Sequence, residues 1–174
     1  MKFIHISDIH LVSKDGPLNG SFPSERLEKC LEDILKWHAD AEFCVISGDL
    51  SEFAEKEAYQ SLKNKLQEFP IPFFLMIGNH DDRELFQTVF PDNQSDQNNF
   101  VQTSLETREA IFLFLDTKKQ GENVHDGELC EKRLAWLKRQ LKDAGAKQTY
   151  LFMHHPPFEI GIPYMDKIRL FGAE

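Results

Sequence analysis

Runs of apolar, β-forming residues that end in short polar motifs recur along the chain, and stretches with helical spacing separate them. Lys2-Phe3-Ile4-His5-Ile6-Ser7 is the first run and predicts a strand. Gly16, Pro17 and Gly20 then mark a loop. Leu27, Leu31, Ile34 and His38 fall at helical spacing, predicting an amphipathic helix with Ser24 as its N-cap and His38 as a packed residue of its apolar face. Glu42-Phe43-Cys44-Val45-Ile46-Ser47 predicts a second strand. Tyr59, Leu62, Leu66 and Phe69 share one face of a second helix, which Pro70 stops. Phe73-Phe74-Leu75-Met76-Ile77 is apolar throughout, the pattern of a strand covered on both faces.

The second half keeps the same grammar. Asp92 to Asn99 is a polar, exposed loop, and Phe100 to Ser104 and Ala110 to Leu115 predict neighbouring strands. A helix from about Glu128 to Lys142 carries Cys130, Leu134, Leu137 and Leu141 as its inner stripe, with Gly145 placed for a C-terminal cap. Thr149 to Met153 is the last strand. Three successive strand-then-helix units joined by short loops predict an α/β fold, here as one domain over residues 1–174. Ligands of such sheets gather outside the carboxyl ends of the strands.

Composition narrows the function classes. A hydrophobic share of 41%, with 15 phenylalanines, supports a packed globule rather than a disordered chain. The net charge of −9 works against a nucleic-acid polymer or an anionic membrane as partner. A phosphate substrate stays open, because bound cations invert the local field. Cys30, Cys44 and Cys130 are dispersed, which suits free thiols in a reducing compartment. With no signal-peptide pattern and no apolar run of about 20 residues, the expected location is the cytoplasm.

Four motifs follow predicted strands: Asp8-Ile9-His10, Gly48-Asp49, Gly78-Asn79-His80-Asp81 and His154-His155-Pro156-Pro157. Asp8 and His10, two apart in an extended segment, would aim a carboxylate and an imidazole at one face, although this pair is also common in purely structural settings. Asp49 ends a buried strand, where a carboxylate must cap a helix, pair or hold a metal. Gly78 permits an unusual turn, and either Asn79 or Asp82 would cap a helix from Arg83 to Val89 if the motif were only structural. His5 suits a packed or hydrogen-bonded role, and His125 sits in a solvated loop that movement would bring near substrate. Oxygen and imidazole donors converging on one sheet edge are the materials of a two-metal hydrolytic site. No GxSxG elbow, Walker phosphate loop, GxGxxG fingerprint or HExxH helix offers a competing scheme.

In their order and strand context, His5 to His10, Val45 to Leu50, Ile77 to Asp82 and Phe152 to Pro157 resemble the calcineurin-like metallophosphoesterases. The closest likeness is to the class III cyclic-nucleotide phosphodiesterase and glycerophosphodiesterase branch, which Arg133 to Leu137 also resembles. The resemblance implies two mixed β-sheets packed as a sandwich and flanked by helices, with two divalent ions (Mn, Fe, Co or Zn). It implies Asp8 and His10 on one ion, Asn79 and His154 on the other, and Asp49 bridging them. His80 would then stabilise the phosphate or assist the leaving oxygen, with His155 and Asp81 in a supporting shell or against substrate. The implied reaction is hydrolysis of a small phosphodiester, a cyclic nucleotide or glycerophosphodiester, by metal-bound hydroxide.

The resemblance also implies a later Gly-His-x-His motif with one ligand for each ion, whereas this sequence has no histidine after His155. The expectation is therefore a catalytic domain lacking its last strands. Its open sheet edge would be a place for a second copy to add. Two alternatives accompany it: a catalytically impaired chain that binds metal weakly, and a phosphomonoesterase on the same scaffold.

Overall fold

The computed structural model describes residues 1–93, 95–121 and 124–171. Its architecture is α/β with mixed sheets and flanking helices, as the alternation of strand runs and helical stripes predicts. The chain gathers into two compact units, Met1–Leu75 with His80–Asn93, and Met76–Asn79 with Gln94–Glu174.

In the first unit, β1 (Phe3–Ile6) and β2 (Phe43–Ser47) pair in parallel from Phe3↔Phe43 to Ile6↔Ile46. β3 (Phe73–Met76) completes the sheet order β1-β2-β3. All of β2 is buried, which explains its unbroken apolar text. β3 departs from the expected double cover: Leu75 and Met76 are buried, but Phe73 is exposed and Phe74 is half-buried.

Helix α1 (Pro23–His38) starts at Pro23, whose fixed φ and missing N–H suit a first helical position. Phe22 is therefore the N-cap, without a side-chain bond, and Ser24 is buried in the first turn instead of capping. Leu27, Leu31 and Ile34 are buried as predicted, while residues 35–40 are all exposed. The final turn overhangs the core, so His38 is a surface residue despite its place on the apolar stripe. Helix α2 (Lys56–Gln67) buries Ala58, Tyr59, Leu62 and Leu66. Phe69 is buried but lies past the helix end, since the residue before a proline is driven from helical geometry. Asp82, not Asn79, caps α3 (Arg83–Val89), its Oδ1 accepting from Leu85 N at 2.7 Å.

The second unit is built on β4 (Thr103–Glu106), β5 (Ala110–Phe114) and β7 (Gln148–Phe152), in the order β4-β5-β7. β4 and β5 are antiparallel neighbours, and β5 and β7 run parallel. β4 begins later than the apolar text suggests, because Val101 N instead donates to the Asp116 carboxylate. Two short strands outside the predicted set, β6 (Gly127–Glu128) and β8 (Leu170–Phe171), pair in parallel, and α5 (Pro163–Lys167) precedes β8.

Helix α4 (Glu131–Ala144) is turned relative to the predicted stripe. Arg133, Trp136 and Ala144 are buried, Leu137 packs at the core margin, and Leu141 is exposed; Cys130 is the N-cap. The core beneath it joins Trp136 and Ala144 to Ile111, Leu113 and Leu115. The rotation follows from Arg133, whose Nη1 donates to the carbonyls of Asp116 and Lys118 at 3.0 and 2.9 Å. Its guanidinium also lies 4.8 Å from the Phe100 ring centre. A buried charge needs such partners, so Arg133 sets the face that a hydrophobic count alone misassigns. Gly145 takes φ 59° at the helix end, the backbone freedom a C-terminal cap requires.

All three cysteines are free thiols, Cys44 fully buried and the other two half-buried. No described helix is long and apolar enough to cross a membrane.

Candidate metal centre

Beyond β1 and β2 the two chains keep bonding without forming regular strands. Asp8 N donates to Gly48 O, His10 N to Asp49 O and Leu11 N to Leu50 O, at 3.2, 2.9 and 3.0 Å. Within this irregular ladder φ is 55° at Asp8, 44° at His10 and 49° at Asp49, while Gly48 takes 107°. Left-handed backbone at non-glycine residues costs on the order of 1–3 kcal/mol each and persists where surrounding structure over-determines it, often at functional sites. Three of the five motif residues in these two loops, Asp8, His10 and Asp49, carry that strain.

Their side chains gather within the first unit. His10 Nε2 lies 3.8 Å from Asp8 Oδ1 and 3.6 Å from Asp49 Oδ2. Donor atoms that share one ion at about 2.0–2.2 Å stand at separations of this order. His10, Asp49 and His80 form a second combination whose ligand atoms lie within 4.8 Å of one another. Asp49 is almost fully buried, and its Oδ1 accepts from His80 N at 2.9 Å. The His10 and His80 rings meet edge to face at 5.0 Å. Ser7 Oγ donates to Asp8 Oδ2.

Charge follows geometry here. The Asp8 carboxylate, together with Asp49 and Glu52, outweighs burial and raises the His10 pKa to about 8. In the metal-free chain a proton thus occupies a place that carboxylates have prepared for a cation. Glu52 Oε2 stands 2.7 Å from His10 Nδ1, though its angle leaves Nδ1 without an aligned hydrogen bond. His80 Nδ1 donates to the Glu52 carbonyl at 2.9 Å.

Asp81 lies behind this group. It is 2% exposed, and its carboxylate accepts from Leu50 N, Ser51 N and the Tyr59 hydroxyl at 3.0–3.1 Å. It fixes the loop that follows Asp49. Burial first, and the Asp81 charge second, push the Tyr59 phenol well above its usual range. His5, as expected, is hydrogen-bonded within the sheet, its Nε2 2.7 Å from Ser47 Oγ.

The second unit brings together Asn79, His125, His154 and His155. His154 Nε2 donates to Asn79 Oδ1 at 3.1 Å, and Asn79 Nδ2 donates to His125 Nδ1 at 3.1 Å. Lys118 Nζ holds the Asn79 carbonyl at 2.9 Å. His155 is 1% exposed and has both ring nitrogens engaged. Its Nε2 donates to the His125 carbonyl at 3.2 Å, so Nδ1 is the acceptor for Thr117 Oγ1 at 2.7 Å. Of the paired histidines, His154 is the one whose Nε2 faces Asn79. The loop histidine expected to be solvated, His125, is exposed yet tied to Asn79.

Sequence reasoning missed Glu52, Thr117 and Lys118. Glu52 lies only three residues past Asp49, but a carboxylate in a loop carries no sign of which histidine it meets. Thr117 and Lys118 follow a buried strand and gain meaning only when β7 is laid beside β5.

The model of the calcineurin-like phosphoesterase family matches residues 1–172, and the chain belongs to that family. It is 41% identical to a probable cyclic nucleotide phosphodiesterase of Rhodopseudomonas palustris, covering 100% of this chain and 64% of the relative. It is 32% identical to a glycerophosphodiester phosphodiesterase of Enterobacter lignolyticus, over 97% of this chain and 61% of the relative. It is 29% identical to the 3',5'-cyclic adenosine monophosphate phosphodiesterase of Escherichia coli K12, over 99% of this chain and 62% of that enzyme. The chain thus spans less than two thirds of the length of these relatives.

Proposed function

We propose that the protein is a metal-dependent phosphodiesterase acting on a small phosphodiester, a cyclic nucleotide or glycerophosphodiester. The observation that carries the reading is the meeting of Asp8, His10 and Asp49 around His10 Nε2 on three strained backbone positions. Asp8, His10 and Asp49 supply one divalent ion with two carboxylates and an imidazole. Asn79 and His154 supply a second with a carboxamide oxygen and an imidazole. Mixed oxygen and nitrogen donors suit Mn, Fe, Co or Zn. Divalent ions bound there acidify and orient water and neutralise the phosphoryl charge.

The chain's own groups do the rest. His80 is fixed by its backbone bond to Asp49 and its ring bond to the Glu52 carbonyl, and in this role its Nε2 meets the phosphate or leaving oxygen. Asp81 and Tyr59 keep the Asp49 loop in place. His155 and Thr117 support the loop that carries His125. The free thiols support a reducing compartment, in keeping with a cytoplasmic enzyme, and the acidic chain favours small substrates over nucleic-acid polymers.

The test is hydrolysis of bis(p-nitrophenyl) phosphate with added Mn²⁺ and with chelator, alongside metal counting by elemental analysis. Metal-dependent turnover that Asp49→Ala abolishes is expected. Equal turnover by metal-replete Asp49→Ala overturns the proposal, as does a folded chain that binds no metal. Faster hydrolysis of p-nitrophenyl phosphate than of the diester would move the assignment to a monoesterase.

A further inference from the structure

A cavity of about 390 Å³ in the first unit opens beside Asp8 and His10 and extends to the 18–21 loop and the first turns of α1. Leu18 and Leu27 give it apolar lining, and Asn19 and Arg26 give it polar groups. Among the described residues, neither the Asn19 amide nor the Arg26 guanidinium makes a side-chain hydrogen bond or ion pair. Arg26 is thus an uncommitted cation on a chain with net charge −9. Asn19 is held at φ 48° within a tight loop closed by Leu18 and Ser21, which bond to each other in both directions at 2.8 and 3.0 Å. Small-molecule sites have this form: a concave, partly apolar space of some hundreds of cubic ångströms with a few placed polar groups.

We infer that this cavity is the subsite for the nucleoside of a cyclic-nucleotide substrate, with Arg26 and Asn19 as its specificity-determining contacts. The inference rests on the phosphodiesterase reading, which puts the phosphate at Asp8 and His10. The cavity then receives whatever organic group the phosphate carries. A guanidinium recognises a base by bidentate donation to acceptor edges or by stacking on its face, and a carboxamide pairs with a purine edge. Leu18 and Leu27 provide apolar surface for the ring. The alternative occupant, a glycerophosphodiester with a quaternary ammonium headgroup, would bring a cation against Arg26 where no carboxylate of the lining except Asp8 offsets it.

The test compares the metal-replete protein with Arg26→Ala and Asn19→Ala, neither of which removes a proposed metal ligand. Binding of 3',5'-cyclic AMP and cyclic GMP is measured by titration calorimetry, and steady-state kinetics use the cyclic nucleotides and methyl p-nitrophenyl phosphate. Arg26→Ala is expected to weaken cyclic-nucleotide binding about tenfold or more, the effect of losing a charged hydrogen-bond donor. The loss should appear in KM, with kinetics on the small diester unchanged. Unchanged nucleotide binding in Arg26→Ala, equal losses on both substrates, or stronger binding of glycerophosphocholine than of cyclic nucleotide would overturn it. Wild-type protein that hydrolyses the small diester but binds no cyclic nucleotide also overturns it while leaving the phosphodiesterase reading standing. Nucleotide binding that depends on Arg26, without any turnover, would retain the subsite and remove the activity.

Discussion

Replacing Asp81 with asparagine tests whether the loop behind Asp49 is held by a buried charge. The carboxylate is 2% exposed and accepts from two backbone amides and the Tyr59 hydroxyl. An asparagine of the same shape keeps one acceptor oxygen and turns an NH₂ group toward groups that themselves donate. Leu50 N, Ser51 N and the Tyr59 hydroxyl all reach Oδ1, so a carboxamide oxygen there keeps them without charge assistance. Its NH₂ takes the Oδ2 place 3.1 Å from Leu50 N, a buried donor against a donor. Hydrogen bonds to charged groups contribute about 1.5–3 kcal/mol, and a stranded buried donor costs about 1–3 kcal/mol. These overlap, so the expected loss is about 3 kcal/mol, a fall in Tm of roughly 6–12 °C for a chain of this size.

The assay is thermal unfolding in chelator, so that bound metal does not mask the change. Tyr59→Phe is the partner variant, because its hydroxyl donates to Asp81 and accepts from Asp82 N at 2.9 Å. A double-mutant cycle should show coupling above about 0.5 kcal/mol, as for residues in one hydrogen-bond network. A Tm fall below roughly 2 °C for Asp81→Asn, or strictly additive losses, would refute this account of the loop.

Two further outcomes follow from the geometry. His10, raised from 6.5 to about 8, stabilises the metal-free chain below pH 6.5, and that contribution is lost as pH rises through about 8. Metal uptake must displace the same proton, so apparent affinity should fall by up to about tenfold per pH unit below 8; calorimetry at several pH values that gave a flat affinity would contradict it. Gly127→Ala places a Cβ 2.6 Å from His155 Cγ and should cost about 1–3 kcal/mol by overpacking. The displaced His155 ring should also loosen its bond to the His125 carbonyl, visible as faster hydrogen exchange at residues 124–127.

Local text made the longer strands and most helices legible, but not β6 and β8. The apolar run of β2 reads as a strand and is one, and the four motifs at strand ends carry the donors that the resemblance assigns to a metal centre. The resemblance assigned Asn79 and His154 to one ion; the structure shows their side chains hydrogen-bonded at 3.1 Å. Other details lay beyond pattern. His38 continues the stripe of α1, yet only the exposure of residues 35–40 shows that the stripe outruns the core.

Sequence by itself therefore determined the longer strands and helices, because side-chain periodicity and proline or glycine constraints act within a few residues; the short β6, β8 and α5 carry too little local pattern to be read that way. It also determined the donor types at the strand ends. Tertiary structure decided what each donor meets. The inner face of α4 is set by Arg133 reaching the Asp116 and Lys118 carbonyls, a long-range demand of a buried charge that overrides the leucine stripe. Asp81 became the anchor of the Asp49 loop because α2 delivers Tyr59 to it. His155 lost its availability as a ligand because strand pairing brought Thr117 to its ring. Hydrophobic periodicity is a property of neighbours in sequence, whereas satisfaction of buried polar groups is a property of neighbours in space.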